Sequence, residues 1–155
     1  MDKLLVYGGT FNPFHYGHLH LASCFEKITA ADRVLLVPTR IPPHKEAQNL
    51  ASAKDRMAMC RLGVQGTGWQ VSNMEICRCT PSYTADTLEQ LAAENPGTEL
   101  YFVTGEDMFL TLLSWHDPNR ILRLATVCAA PRSTSGMGRM LAYADRIHRA
   151  GGKTL

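Results

Sequence analysis

The feature that most constrains the fold is the alternation of short apolar runs with stretches of helical spacing. Leu4 to Tyr7 (LLVY) is uninterrupted apolar sequence, as expected of a central parallel strand buried on both faces. Apolar residues then fall at 19, 21, 22, 25 and 28, a helical spacing. Arg33 to Val37 reads as a second strand, stopped by Pro38. After a polar stretch at 39–51, Ser52 with Asp55 marks a helix start, and Met57, Cys60 and Val64 share one face of that helix. Trp69 to Met74 alternates like a third strand, with Trp69 assigned to the core. A turn-rich stretch around Pro81 leads to a helix from about Ala85 to Glu94, ended by Asn95-Pro96-Gly97. Leu100 to Val103 is a fourth strand, and Gly105 opens a helix to about Ser114. A short helix begins at Asp117-Pro118, a fifth strand covers Thr126 to Ala130, and a last helix covers Gly138 to Arg149. The pattern predicts an α/β chain: a doubly wound parallel sheet of about five strands with helices on both faces. Its ligand belongs at the carboxyl ends of the strands.

With 155 residues, 45% of them apolar and 19% charged, residues 1–155 are expected to form one domain with its own core. Sixteen Lys and Arg against fourteen Asp and Glu give +2, too little to argue for nucleic acid, so any phosphate binding must be local. The five cysteines (24, 60, 77, 79, 128) contain no C-x-x-C pair, which disfavours a disulfide framework or a cysteine zinc site. Cys77 and Cys79 would share a strand face and could form a redox pair, but free thiols and a reducing cytoplasm are the reading preferred. Seven residues before the first glycine pair are too few for a signal peptide. No apolar run approaches the roughly 20 residues of a membrane span.

Three strand-end segments would open on one sheet edge: Gly8-Gly9, Gly105-Glu106-Asp107 and Pro131-Arg132. Gly8 and Gly9 would let a phosphate or sugar approach the backbone, a tight turn being the alternative. His15 and His18 flank Gly17 at a helix start, where free N–H groups favour an anion. Phosphoryl chemistry needs donors where negative charge gathers, and two imidazoles supply ring nitrogens for it. A metal site made of His15, His18 and His20 is poorly supported, since His20 faces elsewhere on a helix.

The run GGTFNPFHYGH (Gly8–His18) resembles the H-x-G-H signature of the nucleotidyltransferases that transfer AMP or CMP from a nucleoside triphosphate. With Pro42-Pro43-His44-Lys45, Pro81-Ser82-Tyr83-Thr84, Asp86-Thr87-Leu88, Gly105, Asp107 and Trp115, the resemblance narrows to bacterial nicotinate-nucleotide adenylyltransferases and runs from Lys3 to about Arg132. It implies a Rossmann-like nucleotidyltransferase fold and AMP transfer from ATP to nicotinate mononucleotide, with Mg²⁺ accompanying ATP. His15 and His18 would be catalytic. Gly8, Gly9, Thr10, Phe11, Gly105, Asp107 and Arg132 would meet ATP, and Lys45, His44, Tyr83, Thr84 and Trp115 the mononucleotide. Each has a plainer reading: Asp107 as a helix cap, Lys45, His44 and Arg132 as solvated loop residues, Trp115 as core. Glu106 stands where many relatives carry a smaller residue, a departure that matters little if it points outward.

Relatives also continue past the last helix into a further strand and a Ser-Thr-x-x-Arg segment. This chain stops at Gly151–Leu155, where that segment should begin. The expectation is a truncation, with a shortened protein of weakened ATP binding as the alternative. Competing functions are a nicotinamide-mononucleotide adenylyltransferase and a nucleotide-binding domain without turnover.

Overall fold

The computed structural model describes residues 2–40, 50–78 and 82–155. Five parallel strands form one sheet: β1 (Lys3–Gly9), β2 (Arg33–Pro38), β3 (Gln70–Val71), β4 (Glu99–Val103) and β5 (Ala125–Cys128). Their order is β3-β2-β1-β4-β5. The chain builds outward from β1 in one direction, then returns to β4 on the other side. Between β1 and β4 the loops therefore diverge and leave a crevice at the carboxyl edge.

Alternation along the strands sorts the core into two faces. Leu5, Tyr7, Val34, Leu36, Tyr101 and Val103 pack beneath α1 (Tyr16–Thr29) and α2 (Ala53–Gly63). Leu4, Val6, Val37, Leu100 and Phe102 pack beneath α3 (Thr84–Glu94) and α5 (Pro118–Leu124). Helices thus cover both faces, and the expected Rossmann-like doubly wound architecture is the one observed. Beside β5, the stripe Met140, Tyr143 and Ile147 of α6 (Met137–Arg149) meets Val127, Leu122 and Leu112. Trp69 is buried as expected, and its Nε1–H donates to Glu26 Oε2 at 2.9 Å.

Three elements are shorter than the sequence pattern predicts. The third strand stops at Val71, because the Ser72 hydroxyl accepts from the Met74 N–H (3.2 Å) and draws the backbone into a turn. Cys77 consequently lies exposed in that turn and not on a strand; Cys79 lies outside the described residues. The helix opened by Gly105 ends at Phe109 (α4, Glu106–Phe109), followed by a separate 3₁₀ turn at Leu112–Ser114. There the Thr111 and Ser114 hydroxyls donate to carbonyls three residues back, in competition with the helical ladder. The fifth strand ends at Cys128, two residues early.

After α6, Gly151 adopts φ +91° and Gly152 packs against Ile147 and Leu122 with no room for a Cβ. The last residues then run beside β5. Val127 N–H donates to Lys153 O (2.9 Å), and Leu155 N–H donates to Val127 O (2.9 Å), a parallel bridge centred on Thr154. Thr154 thus adds an isolated parallel bridge beside β5.

Ser52 Oγ accepts from the Asp55 N–H at 3.0 Å and caps α2 as the sequence predicts. Ser52→Ala should lower the stability of the chain by about 1 kcal/mol, read as a shifted urea midpoint with unchanged slope.

Candidate active site

At the start of α1 the two imidazoles take the place of the usual hydroxyl or carboxylate caps. Gly17 N–H donates to His15 Nδ1 and His15 N–H donates to His18 Nδ1, each at 3.1 Å, a reciprocal capping box. Because each Nδ1 accepts a backbone proton, each neutral ring must carry its own proton on Nε2. The rings stack at 3.8 Å between centroids. His15 is exposed, whereas His18 is half-buried against Phe14, Phe11 and Tyr7. Burial, then the neighbouring His15, pushes the His18 pKa down to about 4. At neutral pH His18 is therefore an uncharged N–H donor.

Both histidines line a cleft of about 430 Å³ at the β1–β4 switch point, together with Gly8, Gly9, Thr10, Phe11, Gly105 and Arg132. The two glycines belong to β1 and take no left-handed conformation. Their missing side chains make room for rings: a Cβ on Gly8 would meet Phe102 at 3.1 Å, and one on Gly9 would meet Phe11 at 3.1 Å. The tight-turn reading is therefore wrong. The unusual backbone falls at Phe11 (φ +51°), whose ring is 2% exposed and held beneath Gly9.

Sequence reasoning missed Arg56, which fixes this loop from below. Arg56 is 1% exposed and donates to three backbone carbonyls: Thr10 (2.9 Å), Thr39 (2.6 Å) and Ala51 (3.2 Å). Burial lowers its pKa from the usual value, but a guanidinium stays charged in proteins. No spacing or motif announces it; a single polar position in an amphipathic helix looks solvated until its partners are known.

On the β4 side, a Cβ on Gly105 would meet nothing within 4 Å, so the space above it is open. Asp107 and Arg132 are brought together as an exposed ion pair at 3.3 Å. Arg132 lines the cleft and Asp107 stands at its rim. Glu106 does not point outward. It is 6% exposed, and its carboxylate lies where a side chain on Gly136 would be, at the start of α6. The glycine leaves the space, and the positive end of the helix favours a carboxylate there.

Tyr83, Thr84 and Trp115 gather on the α3–α5 side of the sheet. Tyr83 is the N-cap residue of α3 and supplies no side-chain cap, so the first N–H groups of that helix receive no hydrogen bond from it. Trp115 is half-buried, edge-on to Phe102 at 6.2 Å, with its Nε1–H donated to Thr111. Phe102 thus touches both Trp115 and the Gly8 position, joining the two halves of the constellation. His116, another residue that sequence reasoning missed, stacks on Tyr83 at 4.1 Å. Behind them Glu75 is buried and accepts from the Thr87 hydroxyl (2.8 Å), while its carbonyl accepts from Ser82 (3.1 Å). Burial raises the Glu75 pKa, against the opposing pull of Thr87 and Arg78. Lys45 and His44 lie outside the described residues.

The cytidylyltransferase-like family model matches residues 6–149. The chain belongs to that family. Among relatives, the probable nicotinate-nucleotide adenylyltransferase of Desulfatibacillum aliphaticivorans is 43% identical over 135 residues, covering 86% of this chain and 62% of that protein. The protein of the same name from Shewanella baltica is 42% identical over 131 residues, covering 83% and 61%. This chain thus spans about three fifths of the length of such relatives. The fold matches Plasmodium falciparum nicotinic acid mononucleotide adenylyltransferase complexed with NaAD, with a TM-score of 0.76 at 17% identity over 90% of this chain and 71% of that one. The same enzyme complexed with APC gives 0.72 over the same shares. Among the described residues, no helix is long and apolar enough to cross a membrane.

Two measurements follow from this geometry. Nitrogen NMR should find His18 as the neutral Nε2–H tautomer with a midpoint near pH 4. An unfolded imidazole titrates at about 6.5, so the unfolded chain binds its proton first, and this site's contribution to stability is lost as pH falls from about 6.5 to about 4. Arg56→Met should orphan three carbonyls and cost about 2–4 kcal/mol in chemical denaturation.

Proposed function

We propose that this chain carries the AMP-transfer site of a nicotinate-nucleotide adenylyltransferase. In that reaction the phosphate of nicotinate mononucleotide attacks the α-phosphorus of ATP. A phosphorus–oxygen bond forms, the bond to the β-phosphate breaks, and nicotinate adenine dinucleotide and pyrophosphate leave. The observation that carries the reading is the pair of reciprocally capped imidazoles facing the switch-point cleft. Relatives 42–43% identical to this chain bear the corresponding name.

No covalent intermediate on the protein is required, so catalysis rests on positioning and charge stabilisation. His15 and His18 would present Nε2–H donors to phosphate oxygens as negative charge grows on them. Their fixed tautomers leave no proton to rearrange at that moment. Gly8, Gly9, Thr10 and Phe11 would hold the triphosphate along the β1 loop, and Arg132 would meet it from the β5 side. Asp107 would accept from ribose hydroxyls above the open Gly105. ATP would enter as its Mg²⁺ complex, the ion held mainly by phosphates and water. Lys45 and His44, in the β2–α2 connection, would reach the incoming phosphate.

Tyr83 and Trp115 would flank the pyridine ring, with Thr84 and the uncapped N–H groups of α3 receiving its carboxylate. Donors left unpaired by a neutral carboxamide penalise the amide nucleotide. We read residues 1–155 as one domain acting on small nucleotides in the cytoplasm.

Incubation with MgATP and either nicotinate or nicotinamide mononucleotide, followed by chromatography of the dinucleotide, tests the reading. The acid should be preferred, and His18→Ala or His15→Ala should lower kcat by about 10²–10³-fold. Preference for the amide would overturn the substrate. Nucleotide binding by calorimetry without any dinucleotide would instead leave a binding module.

A further inference from the structure

Resting on that substrate reading, we propose that Arg120 is a positioning residue that sets the gap between the two walls of the pyridine pocket. One wall is the start of α3, with Tyr83 and Thr84; the other is the Trp115–Asp117 segment leading into α5. These walls come from separate parts of the chain, 31 or more residues apart in sequence, and lead into different helices. Arg120 bridges them. Its Nη2 donates to Asp86 Oδ1 (2.7 Å) and its Nη1 donates to Glu89 Oε2 (2.5 Å), two carboxylates three residues apart on α3. Its Nε pairs with Asp117 Oδ2 at 3.1 Å, on its own side of the gap and without hydrogen-bond geometry.

The guanidinium is rigid and planar, so engaging acids on both sides fixes a distance and not merely an attraction. It is 18% exposed, and the carboxylates are 43%, 60% and 44% exposed. The arginine is thus enclosed while its partners reach in from the surface. Asp117 also holds a left-handed backbone (φ +49°) immediately before Pro118, an uncommon conformation at the link between His116 and α5. Its carboxylate on Arg120 anchors that link.

The consequence appears one turn away, where Tyr83 and His116 stack face to face across the same gap at 4.1 Å and 24°. Loss of the fork frees the α5 wall to shift against α3. The pyridine pocket then loses its spacing, whereas the β1–α1 loop and its imidazoles, held by Arg56, do not.

The test compares the full chain with Arg120→Met and with the double variant Asp86→Asn, Glu89→Gln. Proton NMR of the His116 ring, assigned through His116→Gln, reads the stack without any ligand. Calorimetry with nicotinate mononucleotide and, separately, with ATP reads the two halves of the site. In both variants the ring-current shift of His116 should collapse. Mononucleotide affinity should fall about tenfold, with ATP affinity changed by less than about twofold. A retained His116 shift, an unchanged mononucleotide affinity, or equal weakening of both ligands would overturn the proposal. A wild-type chain that binds no mononucleotide sinks the substrate reading instead, and the His116 shift still decides whether Arg120 sets the gap.

Discussion

The buried guanidinium of Arg56 is the interaction on which the cleft depends. Its carbonyl partners come from three separate segments: Thr10 after β1, Thr39 after β2 and Ala51 ahead of α2. The Asn12 side chain adds to the same knot by accepting from the Ala51 N–H (3.0 Å). A carbonyl-bound cation costs desolvation, and no ion-pair partner for it is present among the described residues. What it gives in return is a positive charge directly behind the loop where an anion is proposed to sit. Structural support and electrostatic bias come from the same group.

The imidazole capping box stands on that frame. Serine or aspartate would cap α1 as well, but would bring a hydroxyl or a negative charge to the place where phosphate oxygens would crowd. Imidazoles satisfy the same backbone donors through Nδ1 and keep an N–H on the far side of each ring. The stack against His15 and the aromatic bed of Phe14, Phe11 and Tyr7 hold His18 neutral. Helix start and proposed reaction site thereby use opposite edges of one ring, which explains why two such residues sit three apart around a glycine.

Much of this was legible in sequence, for identifiable reasons. Uninterrupted apolar runs such as Leu4–Tyr7 can only be buried on both faces, so the parallel sheet followed from them. The pairing of Asp107 with Arg132 follows from that sheet, since parallel strands bring their ends to one edge. Lost from view were features set by side-chain competition or by distant partners. Ser72 and Thr111 end elements that hydrophobic pattern alone would extend. Glu106 turns inward only because Gly136, thirty residues later, leaves it room. Arg56 and Arg120 look like ordinary helix-surface cations, because their partners are carbonyls and carboxylates in other segments. His116 shows no pattern at all until Tyr83 is found opposite it.

The glycines at the end of β1 change meaning most. In sequence they suggested bare backbone offered to a phosphate; in the fold they are places kept empty for Phe102 and Phe11. Phe102 extends from Gly8 to Trp115, so one ring spans from the imidazole cleft to the proposed pyridine wall. Its strand β4 pairs with β1 from Lys3 to Tyr7, which fixes that ring's height against the nucleotide loop. The proposed dinucleotide product would need its two halves at a set separation. That separation would be written into a strand register and one aromatic contact, the least adjustable parts of the fold. The adjustable part is the α5 wall, and there a single arginine fork takes over the task.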